Sequence, residues 1–293
     1  CIYDCIEFND SFRRIDILCD LAFLGMELDF RGCPDTEKMI IKNLADFQTR
    51  PEYMDLYNFY KIYRAMVRVK VNMLLSKESE VNSEVRQDSQ KKALALLSLA
   101  LRYTISGNRP LGIVIMGKTA TGKSTIADLM SSLLGISRQS TDEVRKKIAH
   151  LDIYEKTPDP LKSKVYDPKF SLKVYKEVIR LGREDLLAHR VCIIDGTFSK
   201  RKYREMVIQQ FKSNDLVFIE LKTSRSTSRS RLIERETCKT ASDARAEDQA
   251  MIDSLYEPPL ELNPDNHFVF QNNKAKDIIV SQILKKIADR RLA

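Results

Sequence analysis

The stretch Gly112-Ile-Val-Ile-Met-Gly-Lys-Thr-Ala-Thr-Gly-Lys-Ser-Thr125 constrains this chain more than any other part of it. Within it, Gly117 to Ser124 fits G-x-x-x-x-G-K-[ST], the phosphate-binding P-loop pattern. Its flanks fit the same reading. Ile113, Val114 and Ile115 are an apolar run of strand type, and Thr125 to Leu134 shows helical spacing that Gly135 stops. A strand, a glycine loop and a helix let backbone N–H groups and the helix N-terminus converge on phosphates. The loop residues Gly117, Lys118, Thr119, Ala120, Thr121, Gly122, Lys123, Ser124 and Thr125 are therefore the expected nucleotide contacts. Lys123 reaches the β- and γ-phosphates in this reading, and Ser124 ligates Mg²⁺.

The rest of the chain's second part alternates in the same way. Strand-like runs are Gly112–Met116, Arg138–Ser140, Val191–Asp195, Leu216–Leu221 and His267–Gln271. Between and after them, helical spacing covers Lys123–Leu134, Asp142–His150, Pro168–Ala188, Lys200–Phe211, Ser224–Glu236, Ser242–Leu255 and Ala275–Arg290. Alternation of this kind predicts an α/β fold, a mainly parallel sheet flanked by helices. Ligands of such sheets bind at the carboxyl ends of the strands. Two strand ends are chemically suggestive. Asp195 closes Val-Cys-Ile-Ile-Asp, where it would hold Mg²⁺ or its waters opposite Ser124, or else cap the turn Gly196-Thr-Phe. Ser140-Thr-Asp-Glu-Val-Arg145 follows the second strand. Asp142 would take the proton of an acceptor hydroxyl, with Arg145 three residues on binding the acceptor, or Thr141 and Asp142 would simply cap the helix. Arg225, Arg229, Arg231 and Arg235 share one predicted helix, and Arg231 and Arg235 share one face of it. A helical lid carrying them would stabilise charge on a transferring phosphoryl group, whereas a solvated basic helix is the plainer reading.

The first part differs. After a short opening strand it reads as helices, at Asp16–Leu28, Lys38–Phe47 and Tyr57–Leu75. A polar segment, Lys77–Lys92, then precedes a helix at Ala93–Ile105. Ser106-Gly-Asn-Arg-Pro110 is a turn cluster, and it sets the expected domains at 1–105 and 110–293. The start at Cys1 is what a segment of a longer protein would show.

Charge follows this division. Residues 1–104 hold 15 Lys/Arg and 16 Asp/Glu, and the remainder 34 and 25, so the net +8 travels with the P-loop part. Phosphate handling accounts for some of it. A nucleic-acid partner would use the same charge, although a small acceptor is favoured. The six cysteines form no C-x-x-C pair and the three histidines are scattered, which leaves no zinc pattern and suits a reduced, cytoplasmic enzyme. The longest apolar run, Ala93–Leu101, is far short of the ~20 residues of a membrane span.

On these motifs, residues 111 to 293 resemble the small P-loop kinases grouped with gluconate kinase, zeta toxin and polynucleotide 5′-kinase. The resemblance rests on Gly117–Ser124, Ser140–Arg145, Ile194-Asp-Gly-Thr-Phe198 and the arginine-rich lid with Ser242-Asp-Ala-Arg. It implies Mg-dependent transfer of the ATP γ-phosphate to a hydroxyl. Asp142 would be the base, Arg145 a substrate contact, and Lys123, Arg231 and Arg235 the stabilising cations. The acceptor stays open among a small molecule, a polynucleotide and a nucleotide sugar, and an ATP-hydrolysing switch without an acceptor stays open beside them. Residues 2–23 resemble the segment after the catalytic loop of aminoglycoside-phosphotransferase-like kinases. There Asp4 matches a metal-binding Asp and Asp20-Leu-Ala a structural motif. The order of the two parts resembles a bacterial family of fused predicted kinases. That family's H-G-D-x-H-x-x-N loop is absent from this chain, so the first part is expected to be a partial C-lobe without its own activity.

Overall fold

A computed structural model describes residues 15–44, 50, 52–211, 216–236 and 240–292. The opening strand expected before residue 15, with Asp4, lies outside them, as does Cys238. The chain divides into two compact units, Cys1–Asn108 and Arg109–Ala293.

In its described residues the first unit is helical: α1 (Ile17–Phe30), α2 (Pro34–Lys42), α3 (Glu52–Lys77) and α4 (Ser83–Ser106). Asp16 starts α1 by accepting the N–H of Leu18 at 2.9 Å. Met26, Ala65, Leu96, Leu99 and Tyr103 build a core between α1, α3 and α4. One charge is buried beside it. The Lys61 ammonium lies 2.5 Å from both Asp29 and Glu37, and the Tyr103 and Tyr57 hydroxyls donate to the same two carboxylates. The helix expected at Ala93–Ile105 in fact begins ten residues earlier. Asn82 caps it by accepting the N–H of Glu84 at 2.8 Å, so the polar run 83–92 is helix rather than linker.

The second unit carries a five-stranded parallel sheet in the order β2-β3-β1-β4-β5. The strands are β1 (Leu111–Met116), β2 (Arg138–Ser140), β3 (Val191–Asp195), β4 (Leu216–Lys222) and β5 (His267–Gln271). Every residue of β1 and β3 is buried, which explains their unbroken apolar runs. Helices α8 (Pro168–His189) and α9 (Arg201–Phe211) supply Val174, Val178, Val207 and Phe211 to the core against Val114, Cys192, Ile194 and Phe218. Helix α5 (Lys123–Leu134), which follows the glycine loop, packs with α12 (Lys276–Leu292).

Register sets the site. Ile115 pairs with Asp195, and Asp195 pairs with Ser140. The carboxyl ends of β1, β3 and β2 therefore finish level, and the residues just beyond them meet. The remaining helices surround this edge: α6 (Thr141–Ile148), α7 (Asp159–Val165), α10 (Arg225–Glu236) and α11 (Gln249–Ser254). Two differences from expectation concern these segments. Helix α7 lies where no helical spacing was read. The helix expected over Ser242–Leu255 shrinks to Gln249–Ser254. The Asp243 carboxylate accepts the N–H of Thr157 at 2.9 Å and the Tyr166 hydroxyl at 2.9 Å, and lies 3.4 Å from the Lys146 ammonium. Those partners hold the preceding residues out of helix.

Candidate active site

The glycine loop is shaped by two positions that only glycine fits. Gly117 has φ +141°, and a Cβ there would meet the Leu221 carbonyl oxygen at 2.4 Å. Gly122 has φ +90°, and a Cβ there would come within 2.3 Å of Asn272 Nδ2. Asn272 stands there because it donates to the Thr121 carbonyl at 2.8 Å, tying the loop to the residue after β5. Helix α5 starts at Lys123, so its first-turn N–H groups face the loop's hollow.

Lys123 folds back over the loop, and its ammonium donates to the Lys118 carbonyl at 2.7 Å. Burial pushes its pKa down to about 8. Arg235 acts in the same direction, while the charges of Asp142 and Asp195 oppose it. Ser124 donates its hydroxyl to Asp195 Oδ2 at 2.9 Å. The other Asp195 oxygen takes Arg138 Nη1 at 2.9 Å. Arg138 in turn reaches Asp128 at 2.5 Å and Glu143 at 2.8 Å. Burial raises the Asp195 carboxyl to about 6, against the pull of Arg138 and the Ser124 hydrogen bond. A desolvated carboxylate touching a serine hydroxyl offers two oxygen donors of the kind a hard divalent cation such as Mg²⁺ would take. Among the described residues the Asp195 carboxylate bonds to Ser124 and Arg138 and to no N–H of the following turn. The Gly196 N–H goes to the Ile115 carbonyl at 3.1 Å.

Asp142 lies in the first turn of α6 and is half-buried. It makes no hydrogen bond or ion pair with any described residue, and no side chain caps this helix. Its charge acts on Lys123, Asp195 and Arg235. Arg145 is placed differently. It is 7% exposed, donates to the Val165 carbonyl at 2.7 Å and to Ser171 at 3.1 Å, and lies over the Tyr166 ring at 4.5 Å. Arg145 is thus built into the wall beside Asp142.

Arg231 and Arg235 of α10 are placed differently. Arg231 donates to the Ala120 carbonyl at 3.4 Å and to the Asn272 carbonyl at 3.1 Å, so it clasps the loop. Arg235 makes no hydrogen bond or ion pair with a described residue. Burial and the neighbouring Arg231 pull its guanidinium below the usual arginine range, and Asp142 opposes them. Thr125 sits half-buried in the first turn of α5, and Lys118 is exposed. On the β4 flank of the loop a cleft of 820 Å³ opens between Lys118, Thr121, Lys222, Arg225 and Asp253.

With this geometry in place, comparison with known proteins assigns the family. The AAA domain model matches residues 113–259, which hold the glycine loop, Asp142, Asp195, Arg231 and Arg235. The chain belongs to the AAA domain family. An uncharacterized protein of Mycobacterium tuberculosis (strain ATCC 25618 / H37Rv) and one of Mycobacterium bovis are each 30% identical over 203 residues, 69% of this chain. The matched part is 39% of either relative, so the chain spans about two fifths of their length. Among solved structures, a gluconokinase from Sinorhizobium meliloti 1021 is similar at 17% identity and a TM-score of 0.44, covering 61% of this chain and 93% of that one. Shikimate kinase from Aquifex aeolicus is similar at 18% identity and 0.40, covering 62% and 99%.

The AAA domain brings together Lys123, Ser124, Asp142, Asp195, Arg231 and Arg235 from separate stretches of sequence. Reading the sequence gave no individual role to Arg138, Asn272, Asp243 or Asp253. Asn272 carried a usable signal, since it directly follows a strand at the binding edge of the sheet. The other three act through long-range contacts that leave no local pattern. Beyond Arg145 in the chain, Tyr154, Lys164 and Tyr166 are exposed, and of these the Tyr166 hydroxyl donates to Asp243 at 2.9 Å. No described helix is long and apolar enough to cross a membrane.

Proposed function

We propose that this AAA domain is a phosphotransferase that moves the terminal phosphoryl group of ATP to a hydroxyl of a small molecule. One observation carries the reading. Asp142 and Arg235 are opposite charges without partners among the described residues, and both act on the P-loop lysine. Unpaired charge at a half-buried site is held for a ligand more often than for the fold.

In this reading the loop N–H groups and Lys123 seat the phosphates. Asp142 accepts the proton of the acceptor hydroxyl as its oxygen attacks the γ-phosphorus. The bond from that phosphorus to the β,γ-bridging oxygen breaks, and ADP carries the electron pair away. Lys123 and Arg235 offset the charge that develops on the transferring oxygens. Ser124 and Asp195 would hold Mg²⁺, which neutralises phosphate charge when bound. Arg145 then shapes the acceptor wall. The helical unit is proposed to be part of an aminoglycoside-phosphotransferase-like C-lobe. Asp20-Leu-Ala, the motif supporting that view, lies on α1.

The test is a screen with ATP, Mg²⁺ and panels of hydroxyl metabolites, nucleotide sugars and oligonucleotides, read by mass spectrometry for a gain of one phosphoryl group. Lys123→Ala should abolish both product and ATP binding. Turnover of ATP that no acceptor stimulates and that Asp142→Ala leaves intact would instead make the domain a hydrolytic switch. A product on oligonucleotides alone would move the reading to a polynucleotide kinase.

A further inference from the structure

We infer that Asp253 on α11 is an internal competitor for phosphate, a carboxylate seated on the P-loop that incoming polyphosphate must displace. The loop binds anions through its backbone N–H groups. One of them is already engaged, because the Thr119 N–H donates to Asp253 Oδ1 at 3.3 Å. The two residues are 134 positions apart, so the contact is made by docking and not by local chain geometry. The charge of Asp253 also acts on Lys123, the cation that phosphate would claim.

The element that brings Asp253 there is anchored on two sides. At its start, Gln249 Nε2 donates to Ser228 Oγ on the lid helix α10 at 2.7 Å, a buried bond. Just past its end, the Glu257 N–H donates to the Ser199 carbonyl at 2.7 Å, and the Glu257 carboxylate accepts the Arg201 N–H at 2.7 Å. Helix α11 is therefore a strap running from the arginine lid past the loop. A carboxylate and a polyphosphate oxygen cannot both occupy one donor beside one lysine, because like charges at contact distance repel. Nucleotide entry must turn Asp253 away, and with it loosen the strap joined to the lid.

The inference rests on the loop being a nucleotide site, and not on which acceptor is used. The test measures affinity by titration calorimetry for ATP and for inorganic tripolyphosphate, without any acceptor. Asp253→Asn keeps the shape and removes the charge, and Asp253→Ser repeats the test if Asn disturbs folding. Asp248→Asn is the control, since that side chain makes no cap hydrogen bond on the same helix. Losing the competing charge should tighten both ligands about tenfold, the scale of one charge-assisted hydrogen bond. Asp248→Asn should change neither. In the wild-type protein, ATP should speed amide exchange over 249–254 while slowing it over 117–125. Equal or weaker binding by both Asp253 variants would overturn the inference, as would ATP-induced protection of 249–254. A tenfold gain in a protein that phosphorylates no acceptor would uphold it and sink the phosphotransferase reading instead. Failure of every form to bind either ligand would remove both.

Discussion

Two arginines of the second unit, Arg204 and Arg235, show opposite ways of keeping a charge. Arg204 has no accessible surface. Its Nη1 donates to the Phe198 carbonyl at 2.8 Å, its Nη2 lies 3.2 Å from Glu261, and its Nε reaches the other oxygen of that carboxylate. Arg235 is half-buried, and no described residue answers it. The carboxylates repeat the contrast. Asp243 is met by Thr157, Tyr166 and Lys146, whereas Asp142 is met by nothing described. A buried charge with all its bonds matched fastens one segment to another, and removing one partner leaves the other stranded. An unmatched charge beside a glycine loop contributes nothing to holding the chain and is available to a ligand. Among these four side chains, partnering follows the proposed division between structural and chemical charge.

The contrast breaks most visibly at Arg235. Arg235→Ala should cut phosphoryl transfer by about 10³-fold or more, the scale of an arginine supplied to a γ-phosphate, with the melting temperature unchanged. If the melting temperature falls instead and turnover persists, Arg235 belongs with Arg204. Next comes Asp142→Asn, which should lower the rate about 10²- to 10⁴-fold while leaving ATP affinity intact, as loss of a general base does. Steady-state kinetics with the acceptor varied would show a fall in kcat. Arg204→Ala should act through stability, costing about 3–5 kcal/mol by stranding Glu261 in the interior. Denaturant unfolding measures it. Replacing Arg204 by Met and Glu261 by Leu together should recover much of that loss, because the two desolvation costs disappear with the pair.

What could be read from the sequence is what local patterns carry. Residues 113–115 and the glycines announce strand and loop, because a buried strand is a continuous apolar run and a φ of +90° or +141° calls for glycine. Asp195 was legible as the polar end of such a run. Asn272, just after β5, and Asp253 on α11 reach the loop, and Arg138 of β2 reaches Asp195, through long-range side-chain bonds, and no spacing rule encodes those. The misread helix at 242–248 has the same origin. Its residues have helical spacing, but Asp243 gains more from Thr157, Tyr166 and Lys146 than a helix offers it. Missing the start of α4 was a different error. Asn82 is an ordinary cap, and the polarity of residues 83–92 concealed a solvent-facing helix.

The smallest effect concerns Lys123, which lies between the two kinds of charge. Among the described residues its one hydrogen-bond partner is the Lys118 carbonyl, which is not an anion. With its pKa near 8 in the ligand-free protein, it is charged at pH 7 and increasingly neutral above 8. Polyphosphate binds the charged form, so binding above pH 8 must take up a proton. ATP affinity should then fall as pH rises, by up to about tenfold per unit between pH 8 and 10. Stability runs the other way. A lysine whose pKa is lower folded than unfolded destabilises the fold below 8, and that cost is relieved as pH rises from 8 toward 10.5. Calorimetric titration at several pH values measures the first slope, and thermal melts without nucleotide measure the second. Lys123→Met should flatten both. A flat affinity profile in the wild-type protein would mean that Lys123 keeps its proton as an exposed lysine does, and would place it with the ordinary surface charges.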